Sequence, residues 1–93
     1  MIMEPKIGLI VTVNFDSKEE SKLVHDSLVP EIMDHDFDRS KISIELVESQ
    51  IVVNIKSQDV TAAKANINSI LRWISLVSES AQLIPKTSVK RYS

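Results

Sequence analysis

The stretch from Val60 to Leu83 contains neither glycine nor proline, follows an aspartate (Asp59) placed as an N-cap, and repeats its apolar residues at a helical period. With Ile67 as origin and about 100° per residue, Val60, Ala63, Ile70, Leu71, Ile74, Val77 and Ala81 fall within about 80° of one direction. This stripe is the expected core face. The far side carries Ala62, Ala65, Ser69, Trp73 and Leu76, leaving a narrow polar arc of Lys64, Asn68, Arg72, Ser75, Glu79 and Gln82. A helix that is apolar on two sides has more to cover than one layer can take. Small residues beside a Trp and a Leu let a second helix approach closely, which assigns the far face to a dimer or partner interface. The alternative is that Trp73 folds back onto a loop of its own domain. A helix running to Leu83 spans about 36 Å against about 25 Å for strands of seven or eight residues, so its last turns are expected to overhang the sheet and need covering.

Upstream the period changes to two. Ile7, Leu9, Val11, Val13 and Phe15 alternate with Gly8, Ile10, Thr12 and Asn14; Ile42, Ile44 and Leu46 with Ser43, Glu45 and Val47; and Ile51, Val53 and Ile55 with Val52, Asn54 and Lys56. Each run is a strand with one buried face, and the short Glu48-Ser49-Gln50 connection makes the last two a hairpin. Between the first strand and the hairpin, Asp16 or Ser17 caps a helix with Glu19 and Glu20 in its first turn. It presents Leu23, Val24 and Leu28 inward and stops around Val29, because Pro30 turns its predecessor away from helical angles. Residues 31–39 read as a charged loop. The order β-α-β-β-α makes an α+β domain over 1–83, with a three-stranded antiparallel sheet and both helices on one face. Residues 84–93 form a basic C-terminal tail, either an electrostatic arm or a solvated end.

Length and composition bound the chemistry. Ninety-three residues make one domain with a marginal core, which self-association would help. No cysteine means no disulfide, thiolate nucleophile or Cys-based zinc site, so a reducing, cytoplasmic setting is expected. Gly8, the one glycine, cannot build a phosphate-cradling loop, a nucleophile elbow or a Gly-x-x-Gly nucleic-acid loop. No apolar run is long enough to span a bilayer and the first residues lack a signal-peptide pattern, so a soluble, unprocessed chain is expected.

The net charge of −2 conceals an asymmetry: residues 1–38 hold three lysines against nine acids, and residues 39–93 hold eight basic residues against four. Asp34, Asp36, Asp38 and Glu45 occupy positions 1, 3, 5 and 12 of a calcium loop, but the sixth position is Arg39 and the second half is strand, so no metal site is assigned. His35 between two aspartates reads as an exposed histidine, and His25 lies beside the first helix's apolar stripe with no nucleophile indicated. No enzyme and no cofactor are expected. The outward face of the sheet (Gly8, Ile10, Thr12, Asn14, Ser43, Glu45, Val52, Asn54, Lys56) has no aromatic platform for bases, so RNA contact would go to phosphates through Lys64, Arg72, Lys86, Lys90 and Arg91.

The run Ala62-Ala63-Lys64-Ala65-Asn66-Ile67-Asn68-Ser69-Ile70-Leu71-Arg72-Trp73-Ile74, preceded by a hairpin and an Asp cap, resembles the signature helix of the small Pcc-type subunits of the KEOPS complex. Archaeal members typically carry an Asn-Ser-x-Leu-Arg-Trp core here. The resemblance extends over about residues 6–76, including a Ser-x-Glu-led helix ending in Leu28-Val29-Pro30-Glu31. It implies a non-catalytic scaffold subunit that dimerises and holds the ATP-using threonylcarbamoyl transferase subunit, which installs threonylcarbamoyladenosine on tRNA. Homodimerisation, or pairing with a Pcc-like paralogue, is implied, with tRNA contacted weakly or indirectly. The chain could equally be the diverged paralogue itself, and an independent small RNA-binding module is the competing reading from the basic tail. Lys64 stands where the family usually has arginine; it keeps the charge but loses the bidentate fork.

Overall fold

Three strands follow the alternation read from sequence. The computed structural model describes residues 5–34, 37, 40–78, 82–83 and 88–91. Its strand β1 (Ile7–Asn14) pairs antiparallel with β3 (Gln50–Ser57), and β3 with β2 (Ser40–Val47). Val11, Val13, Ile51, Val53 and Ile55 are buried on the inner face, with Ile42, Ile44 and Leu46 half-buried beside them. Both helices, α1 (Lys18–Asp34) and α2 (Val60–Val77), follow in the expected order and pack against this sheet. Two further short strands, β4 (Gln82–Leu83) and β5 (Ser88–Arg91), pair with opposite ends of the outer edge of β1. Part of the chain assigned to a basic tail thus has its backbone in the sheet.

The hairpin register places Val47 opposite Gln50, so Glu48 and Ser49 alone make the turn. Glu48 takes a positive φ of 55°. The Ser49 carbonyl accepts from the Phe15 amide at 2.8 Å, and Ser21, fully buried, has its Oγ 2.9 Å from the carbonyl oxygens of both Lys18 and Glu48. One small polar side chain therefore ties α1 to the hairpin turn.

Both helix ends and the burial of two residues differ from the sequence expectation. Helix α1 continues through Pro30 to Asp34 instead of stopping near Val29. Proline removes the amide that would bond the Asp26 carbonyl, but Asp26 is exposed, where water can serve that oxygen, and the added turn brings Ile32 against the core. Its buried stripe is Ser21, Val24 and Leu28; Leu23, expected inside, is 62% exposed. Phe37, within the stretch read as a charged loop, is buried.

Helix α2 ends at Val77, not Leu83. Ser78 is extended (φ −131°, ψ 132°), its amide bonds the Ile74 carbonyl at 2.9 Å, and its hydroxyl donates to the Glu20 carboxylate on α1. The chain then runs to β4 at the β1 edge. Eighteen residues give a helix of about 27 Å, matching eight-residue strands, so the expected overhang is absent. The core face of α2 is Ala63, Ile67, Ile70 and Ile74, while Val60 and Val77 at its two ends are exposed.

Candidate functional site

Asp59 caps α2 by accepting from the Ala62 amide at 2.7 Å. One turn further, Asn66 Nδ2 donates to Ser40 Oγ at 2.7 Å, and Ser40 Oγ donates to the buried Ser57 Oγ at 2.9 Å. This chain of polar side chains fixes the first half of α2 against the ends of β2 and β3, so the helix cannot rotate about its axis without breaking it. Its rotation determines what the second half shows.

There α2 carries Trp73, half-buried against the core, with its ring centroid 6.2 Å from that of Phe37 at an interplanar angle of 55°. The indole therefore does fold back on its own domain, the alternative weighed from sequence. It also borders a cleft of about 320 Å³ between the C-terminal halves of the two helices, lined by Ser27, Leu28 and Glu31 of α1 and Trp73, Leu76 and Val77 of α2. Leu76 is 78% exposed. The walls are mainly aliphatic and aromatic, with the Glu31 carboxylate and the Ser27 hydroxyl as polar lining groups; the hydroxyl already donates to the Leu23 carbonyl at 2.8 Å.

Of the residues expected on the far face, Trp73 and Leu76 meet in this cleft. Ala62 and Ser69 are half-buried and Ala65 is exposed; they continue the same strip toward the helix N-terminus without lining it. The hydroxyl of Ser69 returns to the Ala65 carbonyl at 3.2 Å. Ser27 and Leu28 lie within the helix expected from sequence, but Glu31 reaches the cleft only because α1 continues past Pro30.

The basic residues divide. Lys64 and Arg72 are exposed on α2. Lys90 and Arg91 stand opposite Gly8 and Ile7 in the β5–β1 register, and Lys86 lies outside the described residues. On the exposed face of α1, Lys22 Nζ contacts Asp26 Oδ2 at 2.7 Å and His25 Nδ1 lies 3.1 Å from Asp26 Oδ1. The Lys22 hydrogen bond, then that of His25, holds the Asp26 carboxyl below the usual carboxylate range. His25 is thus occupied by a carboxylate. Asp34 ends α1 and Glu45 lies in β2; His35, Asp36 and Asp38 fall outside the described residues, among which no group of side chains is arranged to hold a metal ion. No helix among them is long and apolar enough to cross a membrane.

A protein family described as "Transcription factor Pcc1" matches residues 9–82. A KEOPS complex subunit Pcc1 from Pyrococcus abyssi is 28% identical over 75 residues, spanning 80% of this chain and 92% of its own. Among solved structures, the de novo designed protein Foldit4 superposes with a TM-score of 0.70 at 11% identity, covering 95% of this chain and 99% of that one. The designed ferredoxin-fold protein LFR1 1 gives 0.61 at 13% identity, covering 96% and 84%. At such identities the structural likenesses establish the fold alone.

Proposed function

Because the chain belongs to the Pcc1 family, we propose that it is a non-catalytic, dimer-forming scaffold subunit of a KEOPS complex. In this role it supports threonylcarbamoyladenosine modification of tRNA by holding the catalytic transferase subunit. The observation that carries the reading is the uncovered apolar cleft between α1 and α2. It lies on the helix that bears the family motif, and exposed leucine and valine beside a half-buried tryptophan are what a helix-in-groove contact needs. The strip Ala62, Ala65, Ser69 continues the same face and allows close helix approach. Lys64, Arg72, Lys86, Lys90 and Arg91 supply positive charge toward tRNA, through phosphates rather than bases.

Leu76→Glu tests this directly. Leu76 is too exposed to matter to the core, so the variant folds as the parent does while placing a charge in the interface. Light scattering on the full chain and capture of the transferase subunit report the outcome: parent association and its loss in the variant fit the scaffold reading. A parent that stays monomeric at high micromolar concentration and captures no transferase overturns it.

A further inference from the structure

The two edges of the sheet end differently. The outer edge of β1 carries β4 and β5, but among the described residues no strand pairs with the outer edge of β2. That strand runs eight residues, Ser40–Val47, without glycine, proline or a bulge in its register with β3. Its inward residues Ile42, Ile44 and Leu46 are only half-buried, whereas Ile51, Val53 and Ile55 on the neighbouring strand are fully buried. An edge so long and regular invites another strand. Helix α1 lies over this side of the sheet. Ser27 and Glu31 turn one of its flanks to α2, so helical geometry puts Val29 and Met33 on the opposite flank, above the bare edge. Val29 is half-buried and Met33 is 79% exposed.

The hairpin fixes which backbone groups are free. Val47 and Gln50 close a two-residue turn and exchange hydrogen bonds, so by alternation Glu45, Ser43 and Lys41 also bond β3, while Leu46, Ile44 and Ile42 turn their amides and carbonyls outward. The outward series ends at Ser40, whose amide donates to the Phe37 carbonyl at 3.0 Å. A second β2 running antiparallel must match this outward set with itself. A two-fold axis at Ser43 does so: Ile42 pairs with Ile44 of the second copy and Ile44 with its Ile42, while Lys41 stands opposite Glu45 at both ends. Both charge pairs fall at non-hydrogen-bonded positions, where Cα atoms are about 4.5 Å apart and side chains stand closest. Shifting the axis to Ile42 or Ile44 breaks both pairs, and shifting it to Lys41 or Glu45 sets like charges opposite each other. Within one copy Lys41 stands opposite Lys56 on β3, a like-charge pair that costs stability, and among the described residues neither Lys41 nor Glu45 forms an ion pair. The carboxylate of a second copy supplies the missing counter-charge.

We propose that β2 is the edge through which two copies of this chain pair, antiparallel about a two-fold axis at Ser43, into one continuous sheet, with reciprocal Lys41–Glu45 pairs selecting the register. The inference rests on the dimer-forming part of the scaffold reading and gives it a surface.

The test uses the full-length chain and light scattering over a concentration series at low and high salt. Lys41→Glu and Glu45→Lys each set like charges opposite at both ends, and each is expected to raise the dimer dissociation constant at least about tenfold, less in high salt. The exchange Lys41→Glu/Glu45→Lys restores both pairs and should dimerise as the parent does. Mixing the two single variants should also give a dimer, because each supplies the charge the other lacks; this recovery shows that each one folds. Ser43→Cys, in a chain without cysteine, should cross-link to its symmetry mate under mild oxidation, since non-hydrogen-bonded partners lie within disulfide reach. Unchanged dimerisation in the single variants, no recovery on exchange or mixing, or no cross-link overturns the proposal. Capture of the transferase subunit, measured on the same proteins, separates this outcome from failure of the scaffold reading. A parent that captures the transferase but stays monomeric overturns the β2 pairing alone, and one that neither captures nor dimerises overturns both.

Discussion

Trp73 on α2 and Phe37 on the connection between α1 and β2 stand with ring centroids 6.2 Å apart, tilted by 55°. A tilted pair at this distance sets the edge of one ring toward the face of the other and adds to what burial alone contributes. The indole thereby serves two surfaces: one side holds the connection down, and another borders the interhelical cleft. The shape of the cleft depends on a residue outside it.

Phe37→Ala is expected to destabilise the domain by about 3 kcal/mol, since a buried aromatic side chain is lost. Trp73 is the protein's one tryptophan, so its emission should shift to the red as its covering ring disappears. A stability loss without that shift would mean the pair does not form in solution.

Pro30→Ala should raise stability by about 1–3 kcal/mol. The substitution returns an amide to the middle of a helix that runs on for four more residues and removes the ring's clash with the preceding turn. Urea denaturation measures it; a neutral result would place the end of α1 at Val29 after all.

Ser21→Ala is expected to cost about 1–2 kcal/mol despite its small size, because the hydroxyl is fully buried between two carbonyl oxygens and one is the Glu48 carbonyl in the hairpin turn. At that turn, Glu48→Gly should recover about 0.5–1 kcal/mol by relieving a side chain held at φ 55°. The two changes meet in one turn, so their effects should deviate from additivity in thermal unfolding of the double variant.

Asp26 gives a pH signature. Lys22 first, and His25 after it, hold the folded carboxyl below its unfolded value. Its contribution is therefore complete above the unfolded pKa and disappears as pH falls through the folded one. Asp26 is exposed, so the effect is small and screened by salt. Melting temperatures below the ordinary aspartate range should fall less steeply for Asp26→Asn than for the parent, and the difference should shrink in high salt.

The sheet was legible because a strand with one buried face writes its orientation into every second residue, as Ile51, Val53 and Ile55 show. The Asp59 cap and the exposure of Leu76 were legible for the same local reason, whereas Trp73, read onto the far face, is half-buried against the core. Helix ends were not. Pro30 argues locally for a stop, and only the burial of Ile32 overrides it; α2 stops at Ser78 because that residue bonds Glu20, 58 positions away. Strands β4 and β5 carry no period of their own and exist through pairing with β1. Phe37 offered one signal, an aromatic amid acids in a chain with four aromatic residues. The Lys41–Lys56 pair follows arithmetically from a two-residue turn at Glu48-Ser49, once the hairpin is counted back residue by residue.

Pairing of β5 with β1 joins residues some eighty positions apart, and loops of that length close late and slowly. During synthesis β1 can find β3 as soon as the hairpin has emerged, but its other edge keeps bare amides and carbonyls until the last strand arrives. Stalled or C-terminally clipped chains are thus the species expected to associate edge to edge, and proteolytic trimming within β5 would convert a well-behaved subunit into an aggregating one.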